Sequence, residues 1–399
     1  MAMERLSPEA AEQVLASHAR RQGVERVDLA QALGRVAAQG MRAASPLPAF
    51  DTSAVDGFAV VGDHHQPCAL IGRVYAGDGP APSLAPGQAL FVATGAMVPA
   101  GAGIAWQEEV STQGQLVALR HWPRAGDNVR HVGEEIRKGA SILRRGERLG
   151  PGQMALLRAT GVRQVSVRQR VTVGVLSVGS ELVEDGGSGL GMVRNTNGPW
   201  LTQQLTALGC TVIGLTLGDD ENRFESEVRR LDLACDLLLS TGGASRGPRD
   251  FVRRVSERLG RRTLIDGLKM RPGQPLQVLA GGHALWIALP GNPLATALGF
   301  DRLVRPLLAV MESRACEAAS GQAYLEAALP PNRSNVARFW PAALRLEGGK
   351  VQVRPAPYGG SGAVSALRQL DAWVRSEAGQ ERIRAGSVVQ VWMTAWGGR

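Results

Sequence analysis

The stretch LLLSTGGASRGPRDF, residues 237–251, decides the fold. Three leucines followed by Ser240 and Thr241 form a short, mostly apolar run of the kind that becomes a buried strand. Gly242 and Gly243 break it, and Ser245, Arg246 and Asp250 lead into a helical segment opening at Phe251. Glycines let the backbone turn tightly and bring bare N–H groups together, and the positive end of the next helix adds to them. Such a loop suits an anion. Asp250 is then unexpected, because a carboxylate beside an anion is repelled unless it holds a metal or moves a proton. The alternative is an ordinary acid at a helix start, satisfied by the helix dipole.

The same texture extends on both sides of this stretch. VTVGVLSVG (171–179) and CTVIGLTLGDD (210–220) read as strands, NGPWLTQQLTALG (197–209) and ENRFESEVRRLDLA (221–234) as helices. HALWIALPGNP (283–293) is a strand and loop, followed by a long apolar helix to about Met311. Strands alternating with helices predict βαβ crossovers on a parallel sheet, with the ligand beyond the C-terminal strand ends. Those ends carry VGSEL, LGDD, STGGASRGPRD and LPGNP. Glu181, Asp219 and Asp220 stand there as metal or substrate contacts, and each is also readable as a helix-capping carboxylate.

Elsewhere the rhythm differs. SPEAAEQVLASHARR opens the chain as an amphipathic helix with Ser7 as N-cap and Pro8 in its first turn, and VDLAQALGRVAAQ suggests a second helical rhythm. Between Pro46 and about Arg130, short β-like runs are separated by Gly and Pro clusters. PGQMALLRATG (151–161) returns to helix, as if the chain leaves a first domain, builds a β insert and comes back. After residue 314 the alternation stops, and AYLEAALP, ARFWPAALRLEGG, KVQVRPAP and SVVQVWM read as a C-terminal β domain.

At 399 residues the chain suits two to four domains, and its net charge of +9 favours anionic partners. Only Lys138, Lys269 and Lys350 are lysines; the other strong bases are arginines, which suit bidentate oxyanion contacts. There is no Lys/Arg block with interleaved aromatics, so nucleic acid is not expected. Cys68, Cys210, Cys235 and Cys316 have no CxxC spacing, which argues against a zinc knuckle or a disulfide framework. The adjacent His64 and His65 fit no metal spacing. No apolar run approaches a membrane span, and the N-terminus lacks a signal-peptide core, so a soluble, cytoplasmic protein is expected.

Four stretches, in order, resemble the molybdopterin molybdenumtransferase family, which includes bacterial MoeA and the gephyrin E domain. They are PLPAFDTSAVDGFAV (46–60), TGAMVPAGAGIAWQEE (94–109), the Gly-Gly loop with Asp250, and RPGQPL (271–276) followed by LPGNP (289–293). The resemblance covers essentially the whole chain. It implies a multi-domain α/β plus β architecture: a helical and extended domain (1–46 and 135–169), a β insert (47–134), a doubly wound α/β molybdopterin-binding domain (170–313) and a C-terminal β barrel (314–399). It implies homodimers whose cleft lies between the α/β domain of one subunit and the β insert of the other. The implied reaction takes adenylylated molybdopterin and molybdate, releases AMP, leaves molybdenum on the dithiolene sulfurs and uses Mg2+. The chemistry agrees with the residues, since phosphates and molybdate suit anion loops, and magnesium suits carboxylates. A molybdopterin adenylyltransferase and recipient molybdoenzymes are the implied protein partners.

The resemblance assigns reactive roles to Asp250, Asp56, Glu181, Thr94 and Arg130. It assigns substrate contacts to Asp51, Gly242, Gly243, Ser245, Lys269, Arg271, Gly273, Gln274, Gly291, Asn292, Arg338 and Ser361, and magnesium to Asp219, Asp220, Glu181 and Asp250. Turn chemistry alone also explains the Asp56–Gly57 pair, and a plain turn explains Gly291 and Asn292. The chain departs from the family pattern at Gln274, where a Lys is usual and Lys269 could compensate. It departs also at Ala295 for Ser, Ser180 for Asp, and Glu135 for Asp. Two other readings stay open: a degenerate relative that carries molybdopterin or acts as a scaffold without turnover, and an α/β enzyme that transfers adenylyl groups.

Overall fold

The computed structural model describes residues 4–63, 66–184, 189–243, 251–315, 320–357 and 359–394. The chain divides into two compact units: residues 1–25, 34–38 and 167–399 form one, and residues 26–33 and 39–166 the other.

The larger unit is built on a six-stranded sheet. Its strands are β1 (Thr172–Val178), β2 (Thr211–Leu217), β3 (Leu237–Thr241), β4 (Arg262–Asp266), β5 (Gln277–Ala280) and β6 (Leu285–Leu289). The spatial order is β2-β1-β3-β6-β5-β4. Strands β1, β2, β3 and β6 pair in parallel, as the alternation predicts. The prediction of a wholly parallel sheet is corrected at the edge, where β5 runs antiparallel to both β6 and β4. The short loop holding Gly281 and Gly282 turns β5 directly into β6 and leaves no room for a crossover helix.

Helices α1 (Asn197–Ala207), α2 (Glu221–Ala234), α3 (Phe251–Arg258) and α4 (Pro293–Gly299) accompany the sheet. Both sheet faces are buried. Val173, Val175, Leu237, Leu239, Ile287 and Leu289 join one core cluster; Leu176, Val178, Leu238, Trp286 and Ala288 join another. Burial on both faces explains why these strands read as continuous apolar runs. The apolar helix after α4 does not run uniformly: Phe300–Val304 widens to π-helix before Arg305–Met311 resumes, and Pro306 has no N–H to give the α-helical ladder.

The C-terminal part of this unit is a barrel. Ser320–Leu325, Ala337–Glu347, Lys350–Pro355, Ala372–Ser376 and Val388–Met393 close on themselves through the pairing of Ala337–Glu347 with Ala372–Ser376. Met270–Arg271 adds to it as a short parallel strand beside Ala337–Arg338. At the N-terminus only Pro8–His18 is helical, capped by Ser7, whose hydroxyl accepts from Ala10 N at 3.2 Å. The second helical rhythm is not realised: Val24–Asp28 is a strand and Leu29–Gln31 a single 3-10 turn. Ala32 caps that turn, and Gly34, at φ +75°, follows it in a conformation that favours glycine.

The smaller unit centres on another six-stranded sheet: Gly103–Trp106, Gly57–Val60, Gln88–Val92, Cys68–Val74, Leu116–Leu119 and Val110–Gln113, in that order. Alternate side chains fill opposite faces. Ala59, Leu90, Val92 and Ile104 pack on one side, and Phe58, Val60, Ala89 and Ala105 on the other. Among the described residues no helix is long and apolar enough to cross a membrane.

Candidate active site

In the larger unit the site begins where the parallel strands end. From β1 the chain passes by α1 to β2 on one side, then by α2 to β3 on the other, so a crevice opens between β1 and β3. Glycines bring the strand ends together. Gly242 sits at φ +84°, and a Cβ there would lie 2.1 Å from Val178 O. A Cβ on Gly291 would lie 3.5 Å from Gly242 Cα. At Gly179 a Cβ would meet the Glu181 carboxylate at 2.7 Å, so this glycine lets the acid fold back over the strand end. Ser180, the departure from the family's Asp, ties two strand ends: its hydroxyl accepts from Asp219 N at 2.8 Å.

Asp220 caps α2, with Oδ1 accepting from Asn222 N and Arg223 N at 3.0 Å each. That is the capping reading of this residue. Among the described residues no three His, Cys, Asp or Glu side chains gather as a metal site. Ser245 and Asp250 lie outside the described residues, as do His64, His65 and Cys316.

Around the start of α4 a second set assembles. Arg271 and Arg338 are register partners in the parallel ladder, and Arg338 lies over the Trp340 ring at 4.0 Å. Gly273, at φ +100°, turns the chain back, and a Cβ there would lie 3.5 Å from Ala295 O. Ser361 O accepts from Leu294 N at 3.0 Å, and Gly362 approaches the side chain of Asn292. Gln274 O accepts from Leu268 N at 3.0 Å. Lys269 Nζ donates to Glu4 Oε1 at 2.7 Å on the surface. The lysine that could replace the missing charge at Gln274 therefore has an acid of its own.

Sequence reasoning missed Asn197. Its Nδ2 donates to Thr241 Oγ1 at 2.9 Å and to Gly291 O at 2.7 Å, holding the ends of β3 and β6 together. In the sequence it is an ordinary asparagine opening a helix, and only its contacts set it apart.

In the smaller unit, FDTSAVDGFA is knitted to two other segments. Thr52–Ser53 pairs with Val129–Arg130, Ser53 O accepts from Gly95 N, and Ser53 N donates to Ala96 O. Asp56 Oδ1 accepts from Thr94 N at 2.6 Å and from Thr94 Oγ1 at 2.9 Å. These bonds, the backbone one first, hold the Asp56 carboxyl below the ordinary aspartate range. Gly57 follows because it presses on the next strand: a Cβ there would lie 2.1 Å from Ala105 O. Close approach, rather than turn chemistry, accounts for the Asp-Gly pair. Asp51 Oδ1 accepts from Val132 N at 2.7 Å, and its Oδ2 lies 3.5 Å from His131 Nδ1. Arg130 donates from Nε to Glu134 at 2.7 Å and also bonds Glu135, so its charge is met within the segment.

Three family models match in order: the MoeA N-terminal region (domain I and II) over residues 6–161, a probable molybdopterin-binding domain over 174–310, and the MoeA C-terminal region (domain IV) over 322–393. A molybdopterin molybdenumtransferase of Synechococcus elongatus is 34% identical over 92% of this chain and 94% of its own length. One from Haemophilus influenzae is 30% identical over 92% and 93%. Among solved structures, a molybdopterin biosynthesis MoeA protein of Pyrococcus horikoshii superposes with a TM-score of 0.82 at 29% identity, covering 99% of this chain and 100% of that one. With the sequence alike along its length and the fold alike throughout, the chain belongs to the molybdopterin molybdenumtransferase family.

Proposed function

We propose that the protein inserts molybdenum from molybdate into adenylylated molybdopterin with release of AMP. One observation carries the reading: the Leu289–Ala295 turn touches the glycine crevice through Gly291 and the arginine segment through Ala295. A phosphate-bearing ligand and a tetrahedral oxyanion thus have adjoining places. Backbone N–H groups at the strand ends suit the phosphates, and the Arg271–Arg338 pair suits molybdate, since guanidinium binds oxyanions bidentately.

Glu181 and Asp219 are the described acids of the crevice, and Asp250 is the reactive carboxylate that the family resemblance implies. Magnesium, when bound, neutralises charge on the phosphate oxygens. Glu181, Asp219 and Asp250 would hold it at the strand ends. Thr94 holds Asp56 ionised and fixed in direction. The resemblance also brings a homodimer, the four-part division of the subunit and a cytoplasmic location into this proposal.

The purified protein is incubated with adenylylated molybdopterin and magnesium, and AMP is followed with and without molybdate. AMP release should require both molybdate and the divalent cation. Release indifferent to molybdate leaves a hydrolase; no release leaves a carrier. Sharing of the site between subunits is tested by complementation. Asp56→Ala and Asp250→Ala proteins should each be nearly inactive and should regain activity in a verified heterodimer. No recovery would place each complete site within one chain.

A further inference from the structure

We propose that a cavity beside the crevice, between α1 and strands β1 and β2, receives the pterin ring of the substrate by its aminopyrimidinone edge. The inference rests on the transfer reading and adds to it which end of the substrate goes where. The cavity measures about 420 Å³, ample for a two-ring heterocycle. Ser177, Glu184, Asn195, Thr202, Gln203 and Thr216 supply its polar lining, and among the described residues no Lys, Arg or His lines it. A phosphate or molybdate would meet a carboxylate there and no cation, so the anionic parts of the substrate belong elsewhere.

Two groups in the cavity are poised for a ligand. The Ser177 hydroxyl is buried, its residue only 1% exposed, and has no hydrogen-bond partner. Buried hydroxyls are normally paired, so this one marks a place where a bond is completed by something else. Glu184 is positioned through one oxygen: Thr216 Oγ1 donates to Oε1, and Asn195 Nδ2 donates to Thr216 Oγ1 at 2.8 Å and to Glu184 Oε1 at 3.4 Å. Asn195 is itself held by Gly198 N, which donates to its Oδ1 at 3.0 Å. Glu184 is exposed, and its Oε2 accepts no hydrogen bond from the described residues, so it is an open acceptor.

A carboxylate matches a ligand edge that offers two donors side by side. The aminopyrimidinone edge of a pterin does so, with a ring N–H next to an exocyclic amine. Adenine offers one amine beside a ring nitrogen lone pair, which a carboxylate repels. The charge pattern therefore selects the pterin over the adenine of the same substrate. Ser177 and Thr216 lie just before the strand ends carrying Ser180 and Asp219, so a ring seated here keeps its side chain and phosphate toward the crevice.

The test is titration of the full-length protein with molybdopterin and, separately, with AMP. Glu184→Gln keeps the shape but removes the charge and turns an acceptor into a donor. It should weaken molybdopterin binding about tenfold or more, the scale of a charge-assisted hydrogen bond, and leave AMP binding within about twofold. Gly214→Val narrows the cavity and leaves Glu184 and Ser177 in place, since the one atom near an added Cβ is Thr202 Oγ1, at 3.5 Å. It too should weaken molybdopterin binding selectively. Unchanged molybdopterin binding in both variants overturns the inference and leaves the transfer reading standing. A selective loss of AMP binding assigns the cavity to adenine and also overturns it. Wild-type protein that binds no molybdopterin overturns both.

Discussion

Around Asp56 the chain supplies the hydrogen bonds, whereas at the strand ends of the α/β sheet it supplies the space. In the smaller unit, Asp56 is met by Thr94, Asp51 by Val132 and His131, and Arg130 by Glu134 and Glu135. In the larger unit, Gly179, Gly242 and Gly291 clear room, while Ser177 and the outer oxygen of Glu184 await partners. Groups already satisfied within the protein keep their direction without a ligand, and binding then costs little reorganisation. Groups left open by close backbone approach take their energy from the ligand. Substitutions should therefore fail differently in the two regions: by lost space in one and by lost orientation in the other.

The largest effect is expected from Gly242→Ala. The new Cβ must displace Val178 O, and alanine is strained at φ +84°. We expect a stability loss of about 1–3 kcal/mol and an activity loss of about 100-fold or more, since small misplacements at a site are that costly. A thermal melt and an AMP-release assay read the two together. Near-normal activity would mean that the crevice tolerates closure.

Next comes the Asp56 clamp. Asp56→Ala should lower activity about 100-fold while leaving the melt nearly unchanged, because the residue is exposed. Thr94→Ala removes only the hydroxyl bond and should cost about fivefold. It should also move the Asp56 carboxyl upward toward the ordinary aspartate range, measurable by carboxyl-carbon NMR. The sign follows from the lowered value. The ionised carboxylate is favoured in the folded state, and its contribution is present above the unfolded aspartate pKa of about 3.9. It is lost as pH falls through the lower folded value, and Thr94→Ala should lose it at a higher pH. An Asp56 titration indifferent to Thr94 would break the contrast between the two regions.

At Gln274 a gain rather than a loss is expected. If the RPGQPL turn faces the oxyanion, Gln274→Lys should lower the molybdate concentration for half-maximal rate by up to about tenfold, the gain of a charge-assisted bond over a neutral one. Fold and melt should not change. Because Lys269 is engaged by Glu4, Lys269→Ala should alter that concentration by less than about twofold. A flat response to Gln274→Lys would place the anion away from position 274.

Much of this architecture was legible because its signals are long and redundant. Strands buried on both faces give unbroken apolar runs such as VTVGVLSV, and ENRFESEVRRLDLA is helical over its whole length. The β4–β5 edge was not legible. RTLID and QVLA are short, and the glycine turn from β5 into β6 reverses the chain where alternation predicts a crossover. Ala372–Ser376, the strand that closes the barrel, is likewise too brief to carry a clear period. VDLAQALGRVAAQ has helical spacing, but its surroundings pull Val24–Asp28 into a strand. At the site, the glycines and acids at strand ends could be read from the residues, while Asn197 and Ser177 could not. An asparagine opening a helix and a serine inside an apolar strand look ordinary until the neighbours that hold or abandon them are known.

The two-residue strand Met270–Arg271 has a practical consequence for anyone dividing this protein into pieces. It lies within the sequence span of the α/β sheet, yet its ladder partner is Ala337–Arg338 in the barrel. Met270 is fully buried in the same core cluster as Ala337, Phe339 and Trp373. A fragment cut before the barrel would look like a self-contained molybdopterin-binding module on paper. It would carry an orphaned backbone edge and a bared apolar seam next to Arg271. The natural unit for expression, crystallisation or domain exchange is therefore the α/β sheet and the barrel together.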